Sequence, residues 1–305
     1  MRTARLLPVA LVVLLVMALL PFGVGGYVLG LLTLAYYYGV FAMAWDLLFG
    51  FAGEVNFGPS FLVGLGAYAA ALLNHYYSWP IWACLVAGSA AAVVGGVVLA
   101  VPALRLHGPY FGLVTLVAVL LLQNVIVLFA GVTGGEIGLD IPDVLSISDR
   151  VNYWYALGFM VISGAVLFGL ARSPVGLILQ ASGQDAVEAS ALGFNVAKHK
   201  LAAFCISAFF SGLAGAMLIF YLGTASVGTV VDIGVGVQVI IAAVLGGRRT
   251  ILGGAIGAIF LIVAGEMLRD LGQLSTFVVS AIALVVILFF PGGLLGSLLR
   301  TEGRQ

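Results

Sequence analysis

Residues 81–101 and 277–290 are apolar on every face, and runs of this kind recur along the chain. As a helix, about 20 mostly apolar residues cross a hydrocarbon layer roughly 30 Å thick. The period-2 alternation of a membrane β-barrel is absent, so the runs read as α-helices. Composition agrees, since 63% of the 305 residues are hydrophobic and 8% charged, against about 25% charged in soluble domains. The expected fold is all-α, a polytopic transmembrane helical bundle forming one domain over residues 1–305.

About ten apolar segments are expected, at 6–24, 27–49, 56–73, 80–101, 110–131, 153–171, 201–222, 233–246, 250–268 and 274–290. Segment 233–246 is short and either crosses or re-enters. Arg2 and Arg5 before the first segment resemble the start of a signal peptide. No small-x-small cleavage site follows Leu20, so this segment is expected to be retained. If every segment crosses from a cytoplasmic N-terminus, Arg2, Arg5, Arg105, Arg172, Lys198, Lys200, Arg248, Arg249, Arg300 and Arg304 fall inside. Only Arg150 and Arg269 fall outside, which is the bias that the positive-inside rule requires. The connection 132–152, acidic through Glu136, Asp140, Asp143 and Asp149, is then expected outside. The connection 172–200, with Arg172, Lys198 and Lys200, is expected in the cytoplasm.

Glycine-rich interruptions occur at 50–59 and 246–254. Paired interruptions in two halves of a transporter suggest discontinuous helices whose freed backbone groups face a solute. Tight turns followed by small residues for close helix packing would read the same way. On the first reading Glu54, Asn56, Gly58, Gly246 and Gly247 are candidates for a translocation path. Ionisable groups within spans cost roughly 2.5–3.5 kcal/mol each on insertion scales, which draws attention to Asp46, Glu54 and Glu266. Glu266 has Arg269 three residues on, the spacing of a helical ion pair at an interface. Asp46 is compatible with a boundary position. Glu54 lies in the glycine-rich stretch beside Asn56, where a polar side chain can line water.

Catalysis has no visible constellation. His75, His107 and His199 stand at segment boundaries without metal spacing, and Cys84 and Cys205 lie in apolar runs as packing residues. No phosphate-binding loop ending in Gly-Lys-Ser or Gly-Lys-Thr is present, so ATP energy would have to come from a partner. No cofactor and no nucleic acid are implied. In the cytoplasmic connection, Asp185 can cap a short helix with Glu188 three residues later, and Gly193 can end it. A free helix of about two turns is marginal in water. Its apolar residues Ala186, Val187, Ala189, Ala191 and Leu192 therefore pack on a partner groove, on this protein's own helices or on the lipid interface.

Several strings resemble the LivH/LivM-type permeases of branched-chain amino-acid ABC importers, nearer the LivM side. They include Gly53-Glu54-Val55-Asn56-Phe57-Gly58, Arg105-Leu106-His107-Gly108-Pro109-Tyr110-Phe111-Gly112, Thr133-Gly134-Gly135-Glu136-Ile137-Gly138 and Arg172-Ser173-Pro174-Val175-Gly176. Ala191-Leu192-Gly193-Phe194-Asn195, Val244-Leu245-Gly246-Gly247 and Phe289-Phe290-Pro291-Gly292-Gly293 continue the match in order. The resemblance implies a permease subunit in a prokaryotic inner membrane. It also implies a second permease subunit, two ATP-binding cassette subunits and an extracytoplasmic substrate-binding protein as partners. The implied solutes are branched-chain or other small hydrophobic amino acids or related amides. Asp185, Glu188, Ala189, Leu192 and Gly193 become a coupling helix to the ATPases under this resemblance. Glu54 and the Arg248-Arg249 pair depart from the neutral or small residues of many relatives. A gradient-driven secondary transporter or channel, with Glu54 binding a proton, is the alternative.

Overall fold

The structure, a computed structural model, describes residues 12–104, 106, 109–272 and the isolated positions 274, 278, 281, 284 and 293. The expected segment 274–290 lies outside the described residues except at four of those positions. Arg2, Arg5, Arg105, His107, Arg300 and Arg304 lie outside them as well.

The elements in chain order are α1 (Val12–Phe22), α2 (Gly26–Asp46, continued by a π-turn Leu47–Phe51), α3 (Pro59–Tyr77), α4 (Ile81–Ala103) and α5 (Pro109–Leu128). Next come α6 (Ala130–Thr133), β1 (Leu139–Asp140), α7 (Asp149–Arg172), α8 (Pro174–Gln184) and α9 (Ala186–Ala191). The described chain then runs through α10 (Val196–Leu222), β2 (Thr224–Ala225), α11 (Val227–Val230), α12 (Ile233–Gly246) and α13 (Leu252–Met267). Among the described residues, six helices are long and apolar enough to cross a membrane: Gly26–Phe51, Ile81–Ala103, Pro109–Leu128, Asp149–Arg172, Val196–Leu222 and Val227–Gly246. The last of these carries the short expected segment 233–246 as its second part. Val12–Phe22 and Leu252–Met267 are apolar but shorter.

Helix α2 is the centre of the bundle. Residues 35–48 are all buried, as expected of a helix that is apolar all round, and α2 packs against α7, α10, α12 and α13. A second group, α3, α4 and α10, meets through small residues that let backbones touch. A Cβ on Gly66 would strike the backbone of Gly212, one on Gly88 the carbonyl of Gly66, and one on Gly212 the Cβ of Ala92. Buried Tyr36 and Tyr153 share a hydroxyl hydrogen bond of 2.7 Å between α2 and α7. Cys84 and Cys205 are both free thiols.

The ends of α7 separate two differently charged regions. At the Asp149 end the connection 134–148 is stitched to its neighbours. Strands β1 and β2 pair antiparallel, Leu139 opposite Ala225 and Asp140 opposite Thr224. Asn74 Nδ2 donates to Asp143 Oδ2 at 2.8 Å, and His75 Nδ1 lies 2.8 Å from the Asp140 carbonyl. At the same end Glu266 and Arg269 form the expected i,i+3 pair at 3.2 Å, and the Tyr27 hydroxyl donates to Glu266. The Arg172 end carries α8, α9, Lys198 and Lys200. Helix α8 was not foreseen within the 172–200 connection. Ser173 caps it, accepting from Gly176 N, with Pro174 at its first turn. That Ser-Pro pair is a recognisable helix start.

Candidate functional site

The expected short helix is present as α9. The Asp185 carboxylate accepts from Val187 N at 2.8 Å and Glu188 N at 3.0 Å, which satisfies two of the donors that open a helix. The reciprocal bond of a full capping box is replaced, because Asp185 N donates to Ala181 O at the end of α8. Gly193 closes the turn with φ of 90°, a left-handed conformation that glycine takes without a Cβ clash. Of the apolar residues on this helix only Ala189 is buried. Val187 is 79% exposed and Leu192 is 74% exposed.

The connection 52–58 packs beside this loop. Gly53 sits so close to Gly183 of α8 that a Cβ would lie 2.8 Å from the Gly183 carbonyl oxygen. Glu54 bonds Lys200 of α10 at 2.6 Å, with each side chain 16% exposed. Glu54, Phe57, Ala186, Ser190, Phe194 and Lys200 line part of a cleft of about 780 Å³ between the connection and α9. Glu54 is therefore a paired carboxylate joining the 52–58 connection to the root of α10. Asn56 is buried and its Oδ1 accepts from Gly58 N at 2.8 Å, while its carbonyl accepts from Trp45 Nε1 at 2.6 Å. Gly58 lies against the backbone of Thr115, where any Cβ would collide.

The second glycine-rich stretch is the turn between α12 and α13. Gly246 meets the Gly253 backbone, and Gly247 follows it at the end of α12 with φ of 125°. Both interruptions are thus connections between successive helices, packed closely on neighbouring backbone. Asp46 holds the two together. Its carboxylate accepts from Arg249 N (3.0 Å), Thr250 N (3.2 Å) and Ile251 N (2.9 Å). Arg249 Nε returns to Gly50 O at 2.8 Å, and Arg248 stacks 4.3 Å above the Phe49 ring. Asp46 is 1% exposed, a buried anchor at the end of α2 beside the exposed Arg248-Arg249 turn. Its three amide partners compensate a charge that burial would otherwise penalise. Its partners lie some 200 residues on in sequence, and no local pattern announces them.

The structure brings Glu54, Asp185, Glu188, Ala189, Leu192 and Gly193 to one end of the bundle. Asn56, Gly58, Gly246 and Gly247 are engaged in backbone packing and capping close to that end. Among the described residues, no group of three or more His, Cys, Asp or Glu side chains could hold a metal ion.

The family described as branched-chain amino acid transport system, permease component, matches residues 27–291. The chain belongs to this family. The permease is 32% identical to the high-affinity branched-chain amino acid transport system permease protein LivM of Escherichia coli K12, over 93% of this chain and 74% of that one. The LivM protein of Salmonella typhimurium LT2 is 30% identical over 90% of this chain and 71% of its own length. No solved structure matches the permease. The family match extends through both glycine-rich connections, α9 and the acidic connection, so these features belong to the permease region itself. Six apolar helices of spanning length among the described residues make it a multi-pass membrane protein.

Proposed function

We propose that this permease is one membrane subunit of an ATP-driven importer in a prokaryotic inner membrane. Its partners on this reading are a second permease subunit, as copy or paralogue, two ATP-binding cassette subunits and an extracytoplasmic binding protein. It carries branched-chain or related small hydrophobic amino acids or amides. Its N-terminus is cytoplasmic, and residues 172–200 face the ATPases. Basic residues at the Arg172 end of α7 and acidic ones at the Asp149 end support that orientation.

The carrying observation is α9, a capped helix of six residues with Val187 and Leu192 in the open. So short a helix is not stable on its own, and an apolar face on a loop beyond the span fits a groove on another protein. Glu54 and Lys200 tie the loop's far end to the α2–α3 connection, which gives a force on α9 a route into the central helix. The same ion pair leaves a proton-coupled mechanism without the free carboxylate it would need at Glu54.

The test is Gly193→Val combined with Glu188→Lys, measured in vesicles holding the complete transporter. The first change strains the left-handed stop, and the second reverses charge at the start of α9. The expected result is an inserted permease with weakened ATPase co-purification, or with ATP hydrolysis uncoupled from uptake. Full uptake with normal ATPase stimulation would reject the coupling role.

A further inference from the structure

Four helix ends meet at the Asp149 end of the bundle: the starts of α2 and α7 and the ends of α10 and α13. The spans Gly26–Phe51, Asp149–Arg172 and Val196–Leu222 have 26, 24 and 27 residues. At 1.5 Å per residue they run about 36–40 Å. Across a hydrocarbon layer roughly 30 Å thick, their ends therefore project about 3–5 Å into the headgroup zone. Exposed Tyr27, Tyr77, Trp82 and Trp154 ring the same end, as aromatic side chains do at a membrane boundary.

A pocket of about 500 Å³ opens between these ends. Tyr27, Asp149, Glu266 and Arg269 form a polar rim, and Leu31 and Leu34 of α2 line the pocket deeper. Leu34 stands seven residues beyond Tyr27, about 10 Å further into the hydrocarbon. Tyr221 closes the back, its hydroxyl 3.4 Å from the Gly30 carbonyl. A slot that is charged at the headgroup level and apolar below it has the polarity profile of a single phospholipid.

The charged groups of the rim have unused capacity. Arg269 Nη1 donates to Tyr27 Oη at 2.7 Å and to Glu266 Oε1 at 3.2 Å. Its Nε and Nη2 have no partner among the described residues, and the side chain is 69% exposed. A free guanidinium edge of this kind grips a phosphate through two parallel bonds. The Asp149 carboxylate, exposed on the rim, accepts no hydrogen bond among the described residues. Two carboxylates against one guanidinium leave the rim with excess negative charge, which repels an anionic lipid and attracts a cationic group. A primary ammonium can also donate hydrogen bonds to Asp149, as a lysine ammonium does; a quaternary ammonium has no N–H to give.

We propose that this pocket holds an aminophospholipid of the phosphatidylethanolamine class. Its phosphate sits on Arg269, its ammonium on Asp149, and the upper part of one acyl chain along Leu31 and Leu34. The site requires only the membrane-spanning fold, so it stands apart from the importer reading.

The experiment takes the full chain, delipidated in detergent, and titrates it with phosphatidylethanolamine, phosphatidylcholine or phosphatidylglycerol of identical acyl chains. Adducts of one lipid are counted by native mass spectrometry. The wild-type chain is expected to bind the ethanolamine lipid at least fivefold more tightly than either of the others. Asp149→Asn should erase the preference over phosphatidylcholine, Arg269→Gln should weaken binding of both, and Glu136→Gln, outside the pocket, should leave the preference intact. Glycerophosphoethanolamine, the same headgroup without acyl chains, separates a lipid site from a site for a soluble phosphoamine, and at a hundredfold excess it should fail to compete. Equal binding of the three lipids by wild type would overturn the assignment. So would an undiminished preference in Asp149→Asn, unweakened binding in Arg269→Gln, loss of the preference in Glu136→Gln, or full competition by the chain-free headgroup.

Discussion

Asp46→Ala removes the group that binds the α12–α13 turn to the central helix. Three amide donors lose their acceptor; that of Ile251 is fully buried and those of Arg249 and Thr250 are half-buried. At about 1–3 kcal/mol per orphaned buried donor, with Ile251 near the top of that range and the other two near the bottom, the gross loss is about 5 kcal/mol. Part of it is returned, because Ile251 is held at φ of 54°. A β-branched residue there carries roughly 1–2 kcal/mol of left-handed strain, which the freed turn relaxes. The net loss is about 3 kcal/mol, corresponding to a fall in thermal midpoint on the order of 6–12 °C by the scaling for domains of 150–250 residues. The assay is the loss of the monodisperse peak on heating in detergent, with hydrogen exchange at residues 249–251 as local readout. Asp46→Asn should fall between alanine and wild type, since one oxygen can still accept. A melt for Asp46→Ala indistinguishable from wild type, with unchanged exchange in the turn, would refute the anchoring role.

Gly66→Leu should abolish the folded monomer by size-exclusion chromatography, because its Cβ meets the immovable backbone of Gly212. Ser78, exposed at the end of α3 with φ of 49°, adopts a conformation that suits glycine; Ser78→Gly should raise stability by about 1 kcal/mol, read as a higher thermal midpoint. Ile147→Cys and Gln184→Cys, both exposed and at opposite ends of α7, should label from opposite faces of the membrane with an impermeant thiol reagent.

Among the described residues the six long apolar helices were legible because an apolar run of spanning length has few alternatives, whereas the expected segments 6–24 and 250–268 correspond to shorter helices and 56–73 to α3, outside those six. The cap at Asp185, the stop at Gly193 and the Glu266–Arg269 pair were legible because each is local, set within a few residues. Contacts between distant elements were not. Glu54 and Lys200, or Asp46 and Ile251, carry no sequence mark of one another, so the partners of both carboxylates were not legible.

The two-residue ladder between β1 and β2 limits where this chain can part. With the bonds from Asn74 and His75, it laces the Tyr77 end of α3 and the Leu222 end of α10 to a single strap. Ile141 N and Leu145 N fasten that strap further to the carbonyls of Gly223 and Phe220. Spreading those helices would tear the whole seam, because the knots lie side by side and share one load. Any opening between α3 and α10 at this end would therefore have to break these bonds together rather than one at a time.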